Sequence, residues 1–226
     1  MTQEEIQQIR EEQQRQYDAP TKLGKKLLQT FSNVFHPLLM LTYAALVICA
    51  FTSLSVLPFA LKAYFVGKVF FYTVLLPVLA ITLMHVFHRV GHWALRDRRD
   101  RMLPFTVNFI SYSLNAYSLW SDGFLPNWVL MFYYGSVILT FVALIVSFWW
   151  KISAHASADA AFATMALITY FYFPETMPLW LSLCSIVIVG AVCSIRIYLG
   201  RHTLAQVSWG ALLGVFSMST GMALWG

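Results

Sequence analysis

The chain has 226 residues, of which 59% are hydrophobic and only 11% charged, with a mean hydropathy of +0.65. Those proportions exclude an ordinary soluble domain, in which about a quarter of the residues are charged. The net charge of +5 comes from a few clusters beside apolar runs, which suits anionic lipid headgroups rather than nucleic acid.

Helices of about 20 apolar residues cross the ~30 Å hydrocarbon layer, where an open sheet would leave backbone groups unpaired. The expected fold is therefore all-α, a polytopic transmembrane helical bundle of about 6–7 spans. Residues 1–33 are read as a polar N-terminal segment, a solvated helix or a disordered tail, and residues 34–226 as the transmembrane domain. Within 22–35, Lys22, Lys25 and Lys26 alternate with Leu23, Leu27, Leu28 and Phe31, an amphipathic pattern suited to the membrane interface. The first apolar run starts too late and is too long for a signal peptide.

Spans are expected at roughly 37–61, 69–94, 104–120, 126–149, 156–173, 178–195 and 204–225. The third is the most polar, with Asn108, Ser111, Ser113 and Asn115, and a tilted or re-entrant segment is its alternative; Pro104 is placed at its start. Cys49, Cys184 and Cys193 sit inside apolar runs and read as small core residues, with no disulfide framework or metal knuckle.

Three polar islands interrupt the apolar chain at 96–101, 151–155 and 196–202. About two crossings separate each from the next, which brings all three to the side of the N terminus. Lys62 and Lys68 fall on the opposite side, so the excess of basic residues assigns the islands to the cytoplasmic face.

The last island joins Arg196 to His202. A guanidinium grips phosphate oxygens in a bidentate fashion, and a neutral imidazole can attack phosphorus. Headgroup snorkelling by Arg196 and Arg201 is the plainer alternative. The middle island supplies Lys151, Ser153 and His155 at a helix start, where backbone N–H groups favour anions and a histidine can protonate a leaving alkoxide. Lys151 after Trp149 and Trp150 also reads as an interfacial anchor. In the first island Arg98 and Arg101 share a helical face, while Asp97 and Asp100 offset much of its charge.

The second and third islands resemble the motifs of the type 2 phosphatidic acid phosphatase (PAP2) superfamily, membrane phosphatases related to vanadium haloperoxidases. That family's last motif is Ser-Arg, five residues, His, three residues, Asp. Arg196 and His202 keep the spacing, Ile195 separates Ser194 from Arg196, and Gln206 stands where the aspartate belongs. The middle motif, Pro-Ser-Gly-His, is matched by Ile152, Ser153, Ala154 and His155. The first, a Lys six residues before Arg-Pro, is the poorest match, since Pro104 follows Arg101 by three residues and Ala94 replaces the lysine.

The resemblance covers residues 90–225. It implies a PAP2-like helical core and a metal-independent lipid phosphatase without cofactor, located in a bacterial inner (cytoplasmic) membrane. In it His202 would form a phosphohistidine, His155 would act as general acid, and Arg196, Lys151, Ser153 and Arg98 or Arg101 would hold phosphate. Gln206 could accept a hydrogen bond from His202 without supplying countercharge, and Asp159 could pair with a histidine or arginine nearby. The implied substrates are lipid phosphates or isoprenyl diphosphates, with membrane lipids as the surroundings and no nucleic-acid partner.

Two other readings stand beside this one. His85, His88 and His92 share a helical face and could bind one metal ion, as in a membrane metalloenzyme or transporter. A catalytically inactive lipid-binding protein of the same fold would also accommodate Gln206.

Overall fold

The computed structural model describes residues 22–86 and 98–224, the side chains of residues 22, 85 and 98–101 excepted. The described residues form helices and connecting turns, with no strand. Helix α1 spans Lys22–Val34, and after a bend of 52° α2 spans Pro37–Phe51. A short 3-10 turn, Ser53–Val56, leads to α3 (Phe59–Phe70), which continues through a π turn, Phe71–Leu75, into α4 (Leu76–Val86). Then follow α5 (Arg98–Asp122), α6 (Asn127–Ser147), α7 (Ala154–Tyr172), α8 (Leu179–Tyr198) and α9 (Leu204–Ala223).

Three of these stretches, Phe59–Met84, Asn127–Ser147 and Leu179–Tyr198, are long and apolar enough to cross a membrane, and a fourth is added if α1 and α2 form one bent span. Helices α5, α7 and α9 are long enough, but their polar side chains lower their hydropathy. Burial sorts the layers. Half of the apolar window of α6 is buried, against 17% for Phe59–Met84 and for α8. Leu79, Leu83, Trp180, Val187, Leu212 and Phe216 stand exposed on the outside, as side chains solvated by lipid would. The core gathers around α6, where Phe65, Val69, Leu119, Val129, Phe132 and Tyr133 pack together.

Several boundaries differ from the sequence expectation for identifiable reasons. The first apolar segment does not run to 61: Thr52 Oγ1 donates to the Ile48 carbonyl at 2.6 Å, accepts from Leu54 N–H, and turns the chain before Pro58 opens α3. The second therefore starts at 59 and contains Lys68, which was expected outside the membrane. Lys68 Nζ reaches both carboxylate oxygens of Asp122 at 2.7 Å, with Ser118 O at 3.0 Å and Tyr64 Oη at 3.1 Å. Neutralised in this way, Lys68 is a poor topology signal.

The π turn has a cause in Pro77, which has no N–H for the Thr73 carbonyl and whose ring crowds that carbonyl. The polar third segment is neither broken nor re-entrant in its described backbone. It is a 25-residue helix that begins before Pro104 and holds the proline inside. Cys49 is buried, but Cys184 is exposed, so it is no core residue.

Glycines allow close contacts between helices. Gly210, Gly214 and Gly221 recur at helical spacing on α9. A Cβ on Gly210 would lie 2.8 Å from the Ser153 carbonyl oxygen, and one on Gly221 2.6 Å from that of Met131. At Gly214 it would collide with the Ser157 carbonyl and approach Ala161 N to 2.8 Å. Ala156, Ala160 and Ala161 complete the small face of α7. The obstacles are backbone atoms and cannot rotate away. Gly214→Val is therefore expected to cost on the order of 3 kcal/mol, the upper part of the usual overpacking range. Thermal melting in detergent would check this, and an unchanged midpoint would contradict so close a packing.

Candidate functional site

The tight α7–α9 contact brings the second and third islands together. Ser153 caps α7, its hydroxyl accepting from Ala156 N–H at 3.4 Å, and its own N–H donates to the Gln206 carbonyl on α9 at 3.4 Å. Lys151 Nζ donates to the Arg201 carbonyl at 2.7 Å. Both islands thus meet through direct hydrogen bonds at one end of the bundle.

The reversal between α8 and α9 depends on Gly200, whose φ of +65° is the left-handed region that favours glycine. Beyond it the N–H groups of Arg201 and His202 both donate to the Arg196 carbonyl, at 3.0 and 3.3 Å. This turn keeps Arg196, in the last turn of α8, beside His202, which precedes the Thr203 cap of α9.

The ring of His202 is held by Gln206. Oε1 of Gln206 lies 3.2 Å from His202 Nδ1 and accepts the Thr203 N–H at 3.2 Å. The Thr203 amide can only donate, so the atom facing it must be the carbonyl oxygen, which fixes the orientation of the glutamine amide. That oxygen can only accept from the imidazole. Nδ1 therefore carries a proton, and in the neutral ring the lone pair lies on Nε2.

His155, on the first turn of α7, is within electrostatic range of Arg196, His36 and His202, and it hydrogen-bonds the backbone of Ser32. Its Nε2 is buried without a partner. Asp159, one turn along, is 2% exposed, and neither of its oxygens has a hydrogen-bond partner. Arg196 feels the Asp159 charge without forming an ion pair, and its Nε is likewise buried and unpartnered. Three unsatisfied polar groups on neighbouring helices, each costly to bury, are what a site awaiting a polar ligand looks like.

Sequence reasoning missed one wall of this site. Helix α1 packs against α8; its last turn carries Ser32, fully buried, and the bend that follows carries His36. The His36 ring meets that of His155 edge-on, with centroids 5.4 Å apart. Burial first, and then the Arg196 guanidinium, hold the His36 imidazole below its usual pKa. A histidine directly before Pro37 at the mouth of an apolar helix was the available signal. The interfacial reading of 22–35 keeps its outward face, since Leu23, Leu27 and Phe31 remain exposed, but the helix also closes the site.

Ser153 is fully buried and engaged as a helix cap, so only its hydroxyl proton is left for another acceptor. Arg98 and Arg101 stand in the first turn of α5, and their side chains lie outside the described residues. Asp122, at the other end of α5, pairs with Lys68 in the last turn of α3. His88 and His92 of the rival metal reading lie outside the described residues, as does the side chain of His85; among the described residues no three His, Cys, Asp or Glu side chains are arranged to hold one metal ion. No protein-family model, no curated protein and no solved structure matches the chain, and the functional reading rests on the cluster itself.

Proposed function

We propose that the protein is an integral membrane phosphatase of the PAP2 type, with the α2–α9 helices as a six- or seven-span core, acting on a phosphomonoester or diphosphate carried by a lipid or polyprenyl tail. The observation that carries this reading is the convergence of Arg196, His155 and His202 with their reactive atoms suited to phosphate. Arg196 Nε and His155 Nε2 lack partners, and the Gln206 bond leaves the His202 lone pair on Nε2. A tetrahedral anion would accept from Arg196 Nε, and from His155 Nε2 once that atom is protonated, and would face His202 Nε2.

In the proposed reaction His202 Nε2 attacks phosphorus while the bond to the lipid oxygen breaks. The departing electron pair stays on that oxygen, which takes a proton from His155. Water then attacks the phosphohistidine, His155 accepts a proton from it, and inorganic phosphate leaves with His202 restored. Arg196, Lys151 and Arg98 or Arg101 offset the charge on the phosphoryl oxygens. A phosphate dianion also brings the countercharge that protonated His155 needs in this buried position.

A tail-bearing substrate is favoured by the largely apolar cavity of about 230 Å³ that Asp159 lines together with Phe35, Met40, Tyr43, Trp180 and Leu181. The test is phosphate release from detergent-solubilised lipid phosphates and isoprenyl diphosphates in excess chelator. Release at the same rate with and without chelator is expected. Release that stops with chelator and returns with a divalent ion would replace this reading by the metalloenzyme one, and a protein that binds lipid phosphates without cleaving any would be an inactive relative of the fold.

A further inference from the structure

His36 belongs to no motif in the sequence, yet it is fixed more tightly than an interfacial histidine needs to be. It caps α2: its Nδ1 accepts the Leu38 N–H at 3.3 Å, and Pro37 occupies the first helical position. An atom that accepts a hydrogen bond from an amide cannot itself carry a proton. The ring proton must therefore sit on Nε2. Protonating Nδ1 as well would break the cap and place a cation at the positive end of a helix, within range of Arg196. His36 is thereby held as a neutral imidazole with one N–H to give.

Its position gives that N–H a use. The ring stands edge-on to His155 at 5.4 Å, and Arg196 acts electrostatically on both. The preceding turn supplies the Ser32 backbone that holds His155. Resting on the phosphatase reading above, we infer that His36 is a third imidazole of the site, a fixed neutral donor whose Nε2–H bonds to an oxygen of the transferring phosphoryl group. A neutral donor has a distinct value here. Arg196 and Lys151 attract phosphate in the ground state as strongly as later, whereas a pre-aimed N–H contributes most where charge and geometry change in the transition state.

The test must separate donation from helix capping, and asparagine does so. Its side-chain oxygen can still accept from the Leu38 N–H, but it has no group that reaches as far as Nε2. For His36→Asn, kcat for lipid phosphate hydrolysis is expected to fall about 10²-fold, the usual loss for one transition-state donor, with KM nearly unchanged. Inhibition by orthovanadate, which adopts five-coordinate geometry in phosphoryl-transfer sites, should weaken by a similar factor, and inhibition by inorganic phosphate by much less. The melting midpoint should stay near that of the wild type. Should the asparagine variant not fold, His36→Ser keeps a capping hydroxyl and serves in its place.

Wild-type kcat and vanadate affinity in the cap-preserving variant, with lower thermal stability in His36→Ala, would overturn the inference and leave His36 a helix cap, while the phosphatase reading stood on wild-type turnover. A wild-type protein that releases no phosphate from any substrate would remove the underlying reading, and the inference with it.

Discussion

Replacing His202 with alanine is expected to abolish phosphate release, a loss of about 10⁴-fold or more if its Nε2 is the nucleophile. The expectation follows from the hydrogen-bonded tautomer: with Nδ1 committed to Gln206, Nε2 holds the lone pair. The companion variant, His155→Ala, should behave differently with different leaving groups. A lipid alkoxide needs a proton as it departs, so its release should fall about 10²- to 10⁴-fold, the usual contribution of general acid catalysis. An aryl phosphate with an acidic phenol leaves unaided and should lose far less in the first step.

Rapid quenching with radiolabelled phosphate would show whether an acid-labile, base-stable phosphoenzyme forms in wild type and is absent in His202→Ala. If His202→Ala turned over any cleaved substrate at the wild-type rate, phosphohistidine chemistry at this residue would be excluded. Leaving-group-independent losses in His155→Ala would instead make that residue a binding group.

The parts of this site legible in the sequence were those encoded by spacing. Lys151, His155, Arg196 and His202 were assigned to one membrane side by counting crossings, and hydrogen bonds between residues 151 and 201 and between 153 and 206 join them in the fold. The meeting of the second and third islands does not depend on where each helix begins, because it follows from how many times the chain reverses rather than from where. The bend at Thr52 and the pairing of Lys68 were not legible, since each depends on a partner: a carbonyl one turn back in the first case, and Asp122 from another helix in the second.

His36 escaped for a related reason. In the sequence it lies at the edge of an amphipathic segment, far from every other polar island, and only the 52° bend turns it toward His155. Asp159 was legible as an anomaly, an ionisable residue in a span, but its relation to Arg196 depends on how α7 and α8 pack. The glycine spacing on α9 was in plain view. Its consequence was not, because a run of small residues does not say which helix it admits.

Gln206 stands where the motif of the resembled phosphatases carries an aspartate, and its replacement is the second large effect expected. A carboxylate at this position would fix the tautomer of the nucleophile and also offset the positive charge its ring acquires on phosphorylation. Glutamine supplies the first function through Oε1 and none of the second. Gln206→Leu removes the acceptor and should cost about 10³-fold in kcat, less than the ~10⁴-fold known when a charged orienting group in a serine protease is made neutral and the tautomer goes wrong. Its KM should change little if Arg196 and Lys151 hold the phosphate as proposed, because neither is altered.

Gln206→Glu tests the missing charge. It keeps the side-chain length and can still accept from Thr203 N–H and His202 Nδ1–H, so the helix cap survives. It should match or exceed the wild-type rate of phosphoenzyme formation, by about 10-fold if as little as ~1.4 kcal/mol of the ion-pair energy is realised in the transition state. Stopped-flow measurement of the first turnover isolates that step. Equal rates for the leucine variant and the wild type would mean that Gln206 does not orient His202, and that the 3.2 Å contact serves only to start α9. A slower glutamate variant would show that repulsion between the new carboxylate and the substrate phosphate outweighs the stabilised imidazolium, in which case the neutral amide is the better partner for a dianionic substrate at this position.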